Sequence, residues 1–226
     1  MIVIEGGDGL GKSTQVKILE NRLLSLGLPV AQFDFPNKSG TPIGTLIGDF
    51  LQGRFGEVTP EFLGLAFAAD RLAARDDMIR ELETGSIVIC DRYVASNIAF
   101  QGAKVVDPKR RTRLHELFRW VEYNLYKLPQ PDLEIALVAS DKYYRDGTHL
   151  ERAACQNRDY IKGGADIHES SLELQCAVND YFIQLTEKPQ LLKIHIEHED
   201  NERRSIEELA QVIWASVEQK ILGEKR

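Results

Sequence analysis

Cysteine is scarce. The chain carries 3 in 226 residues: Cys90, Cys155 and Cys176, widely spaced, odd in number and without a CxxC pair. This excludes a disulfide framework and a cysteine zinc site, and it suits free thiols in a reducing cytoplasm. Positive charge is also short. With 28 lysines and arginines against 35 acids the net charge is -7, so a broad polyanion-binding face, and with it a nucleic-acid partner, is not expected. A small anion needs only a local site and stays open. No apolar run approaches the ~20 residues of a membrane span, and no charged leader precedes an apolar segment. The first residues already read as a core strand, so a cytoplasmic chain without a membrane anchor is expected. No repeat, low-complexity tract or linker interrupts it.

What is present is an alternation of short apolar strands and amphipathic helices in a chain that is 43% hydrophobic. Strands are predicted over 1–5, 29–35, 85–91, 133–139 and 191–196. Helices are predicted over 12–26, stopped by Gly27, and over 41–52, 59–84, about 107–127, 172–186 and 205–221. Thr59-Pro60 and Asp107-Pro108 are N-cap and first-turn signals. A polar, irregular region fills about 141–169. The strands are apolar throughout instead of alternating, as in a parallel sheet covered on both faces. The expected architecture is a single three-layer α/β/α domain over 1–226, built on a five-stranded parallel sheet.

The stretch "GGDGLGKST" follows the first strand and opens the first helix. Gly6, Gly11, Lys12 and Ser13 fit G-x-x-x-x-G-K-[ST], a phosphate-wrapping loop. In that reading the backbone of Gly6, Gly7, Asp8, Gly9, Leu10, Gly11, Lys12, Ser13 and Thr14 cradles nucleotide phosphates. Lys12 reaches the β- and γ-phosphates, and Ser13 serves Mg²⁺. The plain alternative is a glycine-rich turn with an ordinary Lys-Ser helix start. A dinucleotide fingerprint fails on spacing, because its third glycine would have to stand where Lys12 does. "VICDRY" puts Asp91 at the carboxyl end of a strand, where a carboxylate can hold the Mg²⁺ shell of a nucleoside triphosphate or merely cap the next helix.

A second anion site would separate a transferase from a hydrolase. Base-reading motifs of the Asn-Lys-x-Asp kind are absent. Arg92 follows Asp91 at the same sheet edge, and Lys38 lies beyond the second strand. Phe67 and Arg71 stand at i and i+4 on one helix face, a ring beside a planar donor fork that suits a nucleobase. Each has a bland reading as well: Phe67 as core, Arg71 as a surface ion-pair partner.

Taken together, "EGGDGLGKSTQ", "FPNKSGTPIG", "FAADR", "DRYVASNIAFQGA" and "PDLEIALV" resemble the thymidylate kinase family in order and approximate spacing. The match covers 1 to about 139 well and the remainder loosely. The resemblance implies the P-loop kinase type of α/β fold and transfer of the ATP γ-phosphoryl to the 5'-phosphate of dTMP, with Mg²⁺. It gives Lys12, Asp91 and Arg92 catalytic roles, with Ser13 and Asp91 near the metal. Asp8 matches the P-loop acid that meets the acceptor sugar, and Arg92 the arginine that grips the acceptor phosphate. Phe67 and Arg71 match the residues that stack on and read thymine. Phe35, Pro36, Lys38, Ser96, Asn97, Phe100 and Gln101 complete the acceptor wall, within segments of about 36–75 and 91–102.

Two departures from the family pattern stand out. The acid-arginine pair usual after "FP" is Asn37-Lys38 here, a point charge in place of a fork. Leu10 occupies the P-loop position that carries an arginine in one subgroup, so the chain resembles the type that supplies this arginine from a lid, about 141–169. Arg145, Arg152 and Arg158 are the candidates, with Arg152 and Arg158 preferred and Gly163-Gly164 as a hinge or loop tip. Glu169 is the counterpart of the acid that closes the lid. The resemblance also implies a homodimer packed through helices, the one over 59–84 among them. Another pyrimidine nucleotide or deoxynucleoside kinase, and a non-catalytic nucleotide-binding module, remain alternatives.

Overall fold

Five short strands form the sheet: β1 (Ile2–Gly6), β2 (Val30–Asp34), β3 (Ile87–Asp91), β4 (Leu133–Val138) and β5 (Leu191–His195). The computed structural model describes residues 1–37, 40–145 and 171–223. The strand order is β2-β3-β1-β4-β5, and every pairing is parallel. All strand carboxyl ends therefore share one edge, where open α/β sheets place their ligands.

The helices are α1 (Lys12–Ser25), α2 (Pro42–Leu51), α3 (Pro60–Glu83), α4 (Val94–Gly102), α5 (Pro108–Arg119), α6 (Asp141–Arg145), α7 (Leu172–Gln184) and α8 (Ile206–Val217). Successive strand residues face opposite layers. Ile2, Ile4, Ile89 and Ile135 pack against Val16 and Leu19 of α1 and Ile213 and Trp214 of α8. On the other face Val3, Val88 and Cys90 meet Met78 of α3, Ile98 of α4 and Phe118 of α5, while Ala136 and Val138 meet Phe182 of α7. The central strands β1, β3 and β4 are covered on both sides, which is why their apolar runs do not alternate, whereas the edge strands β2 and β5 expose Gln32, Asp34 and His195. The predicted three-layer α/β/α architecture with a five-stranded parallel sheet is what the chain adopts.

Three local features differ from the sequence reading. Helix α4 was not anticipated. Its N-cap residue, Tyr93, supplies no side-chain cap, so the usual start signal is missing from the local sequence. Asp141–Arg145, inside the stretch expected to be irregular, is helical. The helix expected to reach 127 leaves α-geometry after Arg119 and continues as a π-helical turn, Trp120–Leu125. That turn carries Glu122 into the interior, fully buried; π-turns of this kind recur at functional sites. Among the described residues no helix is long and apolar enough to cross a membrane.

Candidate active site

The loop between β1 and α1 is shaped by close approach. A Cβ on Gly6 would lie 2.4 Å from the Leu137 carbonyl of β4, and one on Gly7 would lie 2.2 Å from the Tyr144 hydroxyl. Gly9 and Gly11 take positive φ, and Gly11 is the left-handed N-cap of α1, conformations that favour glycine. Among the described residues no side chain caps α1 and no acid sits in its first turn, a helix start of the kind that suits an anion. Lys12 is buried, and its Nζ donates to the Gly7 carbonyl at 2.6 Å. Ser13 and Thr14 are exposed. Leu10 is fully buried in the core, so no side-chain charge comes from that position.

The crest of the loop is braced by residues that the sequence reading did not select. The Tyr143 hydroxyl of α6 donates to the Gly9 carbonyl at 2.7 Å. Arg203, just ahead of α8, donates to Tyr143 Oη at 2.5 Å and to the Leu10 carbonyl at 3.4 Å. Neither stands out in sequence; each lies in a polar stretch of similar residues.

At the end of β3, Asp91 is buried and Arg92 adopts φ 67°. The Arg92 guanidinium turns toward the P-loop. Nη1 donates to the Gly6 carbonyl at 2.8 Å and to Ser96 Oγ at 3.2 Å, and Nη2 donates to Asp8 Oδ1 at 2.5 Å. Its Cζ lies 5.0 Å from the centre of the Phe100 ring. Burial works to lower the Arg92 pKa, but Asp8, Asp91 and Glu5 outweigh it and hold it above its ordinary value. The second oxygen of Asp8 accepts from Gln175 Nε2 at 2.7 Å, and the Asp8 N–H donates back to Gln175 Oε1 at 2.9 Å. Gln175, fully buried on α7, gave no sequence signal.

The acceptor wall expected on α3 and α4 is joined below its surface. Arg71, fully buried, forks onto Glu122: Nε to Oε2 at 2.5 Å and Nη2 to Oε1 at 2.8 Å. Asn97 Nδ2 donates to the same Glu122 oxygen at 2.9 Å and to the Gly64 carbonyl at 3.0 Å. Arg71 is thus a partner in a buried ion pair rather than a surface one. Phe67 is half-buried against the cluster of Ile47, Phe50, Leu51 and Leu63. Phe35 is core, 6.0 Å from the Tyr93 ring, and precedes Pro36 through a cis peptide. Asp70, another residue not selected from sequence, accepts from the Asn37 N–H and the Thr41 hydroxyl and so ties the following loop to α3.

Two buried atoms on α4 have no hydrogen-bond partner among the described residues: Asn97 Oδ1 and Gln101 Nε2. Their amide orientations follow from their other contacts, since Gln101 Oε1 accepts from Lys104 Nζ at 3.1 Å. Arg145 is exposed and 4.0 Å from Asp141 of its own helix. Lys38, Arg152, Arg158, Glu169 and the Gly163-Gly164 pair lie outside the described residues.

A phosphate loop at the carboxyl edge of a parallel sheet, beside a strand-end Asp-Arg, defines a P-loop nucleotide-binding α/β protein. The family model for thymidylate kinase matches residues 4–199. The chain belongs to the thymidylate kinase family. It is 40% identical over 138 residues to thymidylate kinase of Leifsonia xyli subsp. xyli, covering 60% of this chain and 61% of that one. It is 36% identical over 170 residues to the Clavibacter michiganensis subsp. michiganensis enzyme, covering 74% and 75%. The solved structure of thymidylate kinase from Candida albicans superposes with a TM-score of 0.72 at 25% identity, over 96% of this chain and 90% of that one. The matches to the first curated relatives span about three fifths of those proteins' length (61%, 59% and 61%).

Proposed function

We propose that the protein is a thymidylate kinase, a single P-loop kinase domain over 1–226 that converts ATP and dTMP to ADP and dTDP. The observation that carries this reading is the convergence of two cations on neighbouring carbonyls, Lys12 on Gly7 and Arg92 on Gly6. One comes from the donor-phosphate loop and the other from the edge expected to hold the acceptor. Two anions that must meet in line need such convergence.

In this reading Lys12 and the loop amides hold the ATP phosphates, and Arg92 holds the dTMP 5'-phosphate. An acceptor phosphate oxygen bonds to the γ-phosphorus as the bond to the β,γ-bridging oxygen breaks, and that electron pair leaves with ADP. Asp8 aims Arg92 and faces the acceptor sugar. Phe67 stacks on the base and Arg71, held by Glu122, reads thymine, with Ser96, Asn97, Phe100 and Gln101 as the adjoining wall. An arginine from the segment that follows α6, Arg152 or Arg158, supplies the charge that Leu10 does not.

Mg²⁺ needs only one or two protein oxygens besides phosphates and water. The exposed Ser13 hydroxyl in the first turn of α1 and the Asp91 carboxylate at the end of β3 are of that kind. When bound, the ion neutralises charge on the β- and γ-phosphates. A homodimer in the cytoplasm completes the proposal; the exposed apolar side chains of Phe62 of α3 at 56% and Trp120 at 55% support the homodimer.

An acceptor panel with Mg-ATP, read as nucleoside diphosphate formed, tests the reading. Turnover of dTMP above dUMP, dCMP and thymidine is expected. Brisk turnover of a different acceptor without dTMP would replace the substrate. Nucleotide binding without transfer to any acceptor would favour a non-catalytic module.

A further inference from the structure

We infer that Glu5 is a positioning residue for Arg92, acting through the start of α4 and the hydroxyl of Ser96; the inference rests on the reading of Arg92 as the acceptor-phosphate arginine.

Glu5 lies in a strand that is otherwise apolar, and its side chain is fully buried. An acid in such a place must be satisfied by donors. One oxygen accepts the Tyr93 N–H at 2.8 Å and the Ser96 N–H at 3.2 Å, and the other accepts the Ser96 hydroxyl. These are N–H groups at the N-terminus of α4, the helix whose own N-cap residue offers no side-chain cap. Glu5 therefore caps α4 from a strand 88 positions away in sequence, and the helix dipole favours its charge there.

The consequence falls on Arg92. Its φ of 67° lies in the left-handed region, which costs a non-glycine residue about 1–2 kcal/mol and persists where the surroundings over-determine it. Two consecutive residues of β1 do so. The Ile4 carbonyl accepts the Arg92 N–H at 2.9 Å, and Glu5 takes the next N–H, that of Tyr93. The side chain is fixed in turn, because Ser96 Oγ gives its proton to Glu5 and accepts from Arg92 Nη1 at 3.2 Å. Backbone and guanidinium of Arg92 are thus both referenced to the strand that ends in the P-loop. Burial has the largest influence on the Glu5 carboxyl and raises its pKa; the Ser96 hydroxyl and Arg92 work the other way.

The test is steady-state kinetics of Glu5→Gln, Ser96→Ala and the double variant, with dTMP and ATP each varied. Gln keeps the shape and the backbone contacts but delivers an N–H toward Ser96 Oγ, which then faces two donors. Glu5→Gln should lower kcat/KM for dTMP by about 10–100-fold, as displacement of a reacting group by about 1 Å does, with KM for ATP within about twofold. Ser96→Ala should lower it in the same direction, and the double variant should be no worse than Glu5→Gln alone. Equal losses for both substrates, multiplicative losses in the double variant, or unchanged kinetics would overturn the inference. If Glu5→Gln does not fold, Ser96→Ala decides, since it leaves the two backbone contacts of Glu5 in place. The same wild-type assay tests the proposed function. Should wild type fail to use dTMP, the NMR signal of Arg92 Nε–H, identified by its loss in Arg92→Lys, still decides the inference. It should shift and broaden in Ser96→Ala if Glu5 and Ser96 hold the guanidinium, and unchanged spectra would reject the idea.

Discussion

Lys12 and Arg92 donate to the carbonyls of adjacent residues, Gly7 at 2.6 Å and Gly6 at 2.8 Å. One peptide unit therefore separates the cation that closes the P-loop from the cation at the end of β3. Ligand phosphates arriving from the two sides would compete with these carbonyls for the same N–H groups. The two accepting carbonyls belong to the last residue of β1 and the first residue beyond it.

The two cations should fail differently when removed. Lys12→Ala should reduce transfer by at least about 100-fold at saturating dTMP, because the proposed function makes its ammonium a donor to the transferring group. Arg92→Ala should raise KM for dTMP and lower kcat, with KM for ATP little changed. Separate titrations of each substrate check this, and identical substrate dependence in the two variants would mean that the cations do not serve opposite sides.

Arg71 and Glu122 are exposed by 2% and 0%, so neither can turn to water if its partner is lost. Burial works against the Arg71 charge, and Glu122 more than restores it, leaving the pKa above its ordinary value. Glu122→Leu should destabilise the fold by about 3–5 kcal/mol, as for removal of one member of a buried pair. Adding Arg71→Met should recover much of that stability while abolishing any thymine recognition by Arg71. Urea denaturation of the single and double variants checks the first expectation, and dTMP titration checks the second. A single variant as stable as wild type would show that the pair is solvated in solution.

The sheet was legible because its central strands are short, largely apolar runs, and the P-loop because its residue types are demanded by backbone geometry. The position of Arg92 at the sheet edge was legible from its place after Asp91; its contacts to Gly6 and Asp8 were not. What escaped was set by partners far away in sequence. Helix α4 starts under Glu5, and nothing beside Tyr93 announces that. Glu122 looked like any acid on an amphipathic helix until the π-helical turn rotated it inward. Asp8 raised the question of an acid at an anion site, and its answer lies with Arg92, 84 positions on, and Gln175, 167 positions on. The i, i+4 relation of Phe67 and Arg71 was readable. That Arg71 would fork onto Glu122 was not.

Gln175 meets Asp8 with both ends of its amide. Gln175→Glu sets a second carboxylate against the first, and like charges at that distance raise the pKa of the pair. The acidic limb of kcat/KM for dTMP should therefore move to higher pH in Gln175→Glu, while Gln175→Leu should lose activity without that displacement. Superimposable pH profiles for wild type and Gln175→Glu would remove Gln175 from any role in setting Asp8.

Glu134 gives the fold a pH dependence of its own. It lies on β4 opposite Val3 of β1, and burial, followed by the nearby Glu5 charge, pushes its pKa up to about 8 from an ordinary 4.5, with Arg119 opposing. Between those values the folded chain holds a proton that the unfolded chain has released. Unfolding in that window is therefore favoured by rising pH, and this contribution to stability declines from about pH 5 to about pH 8. Glu134→Gln presents the neutral amide at every pH, so its stability relative to wild type should climb through the same interval. A tenfold change in proton affinity is worth ~1.4 kcal/mol, which sets the relative gain at pH 8.5 at ~2 kcal/mol or more. Urea midpoints of both proteins at pH 5, 6.5 and 8.5 measure it; a constant difference across the three would show that Glu134 ionises in the folded protein as it does in the unfolded one.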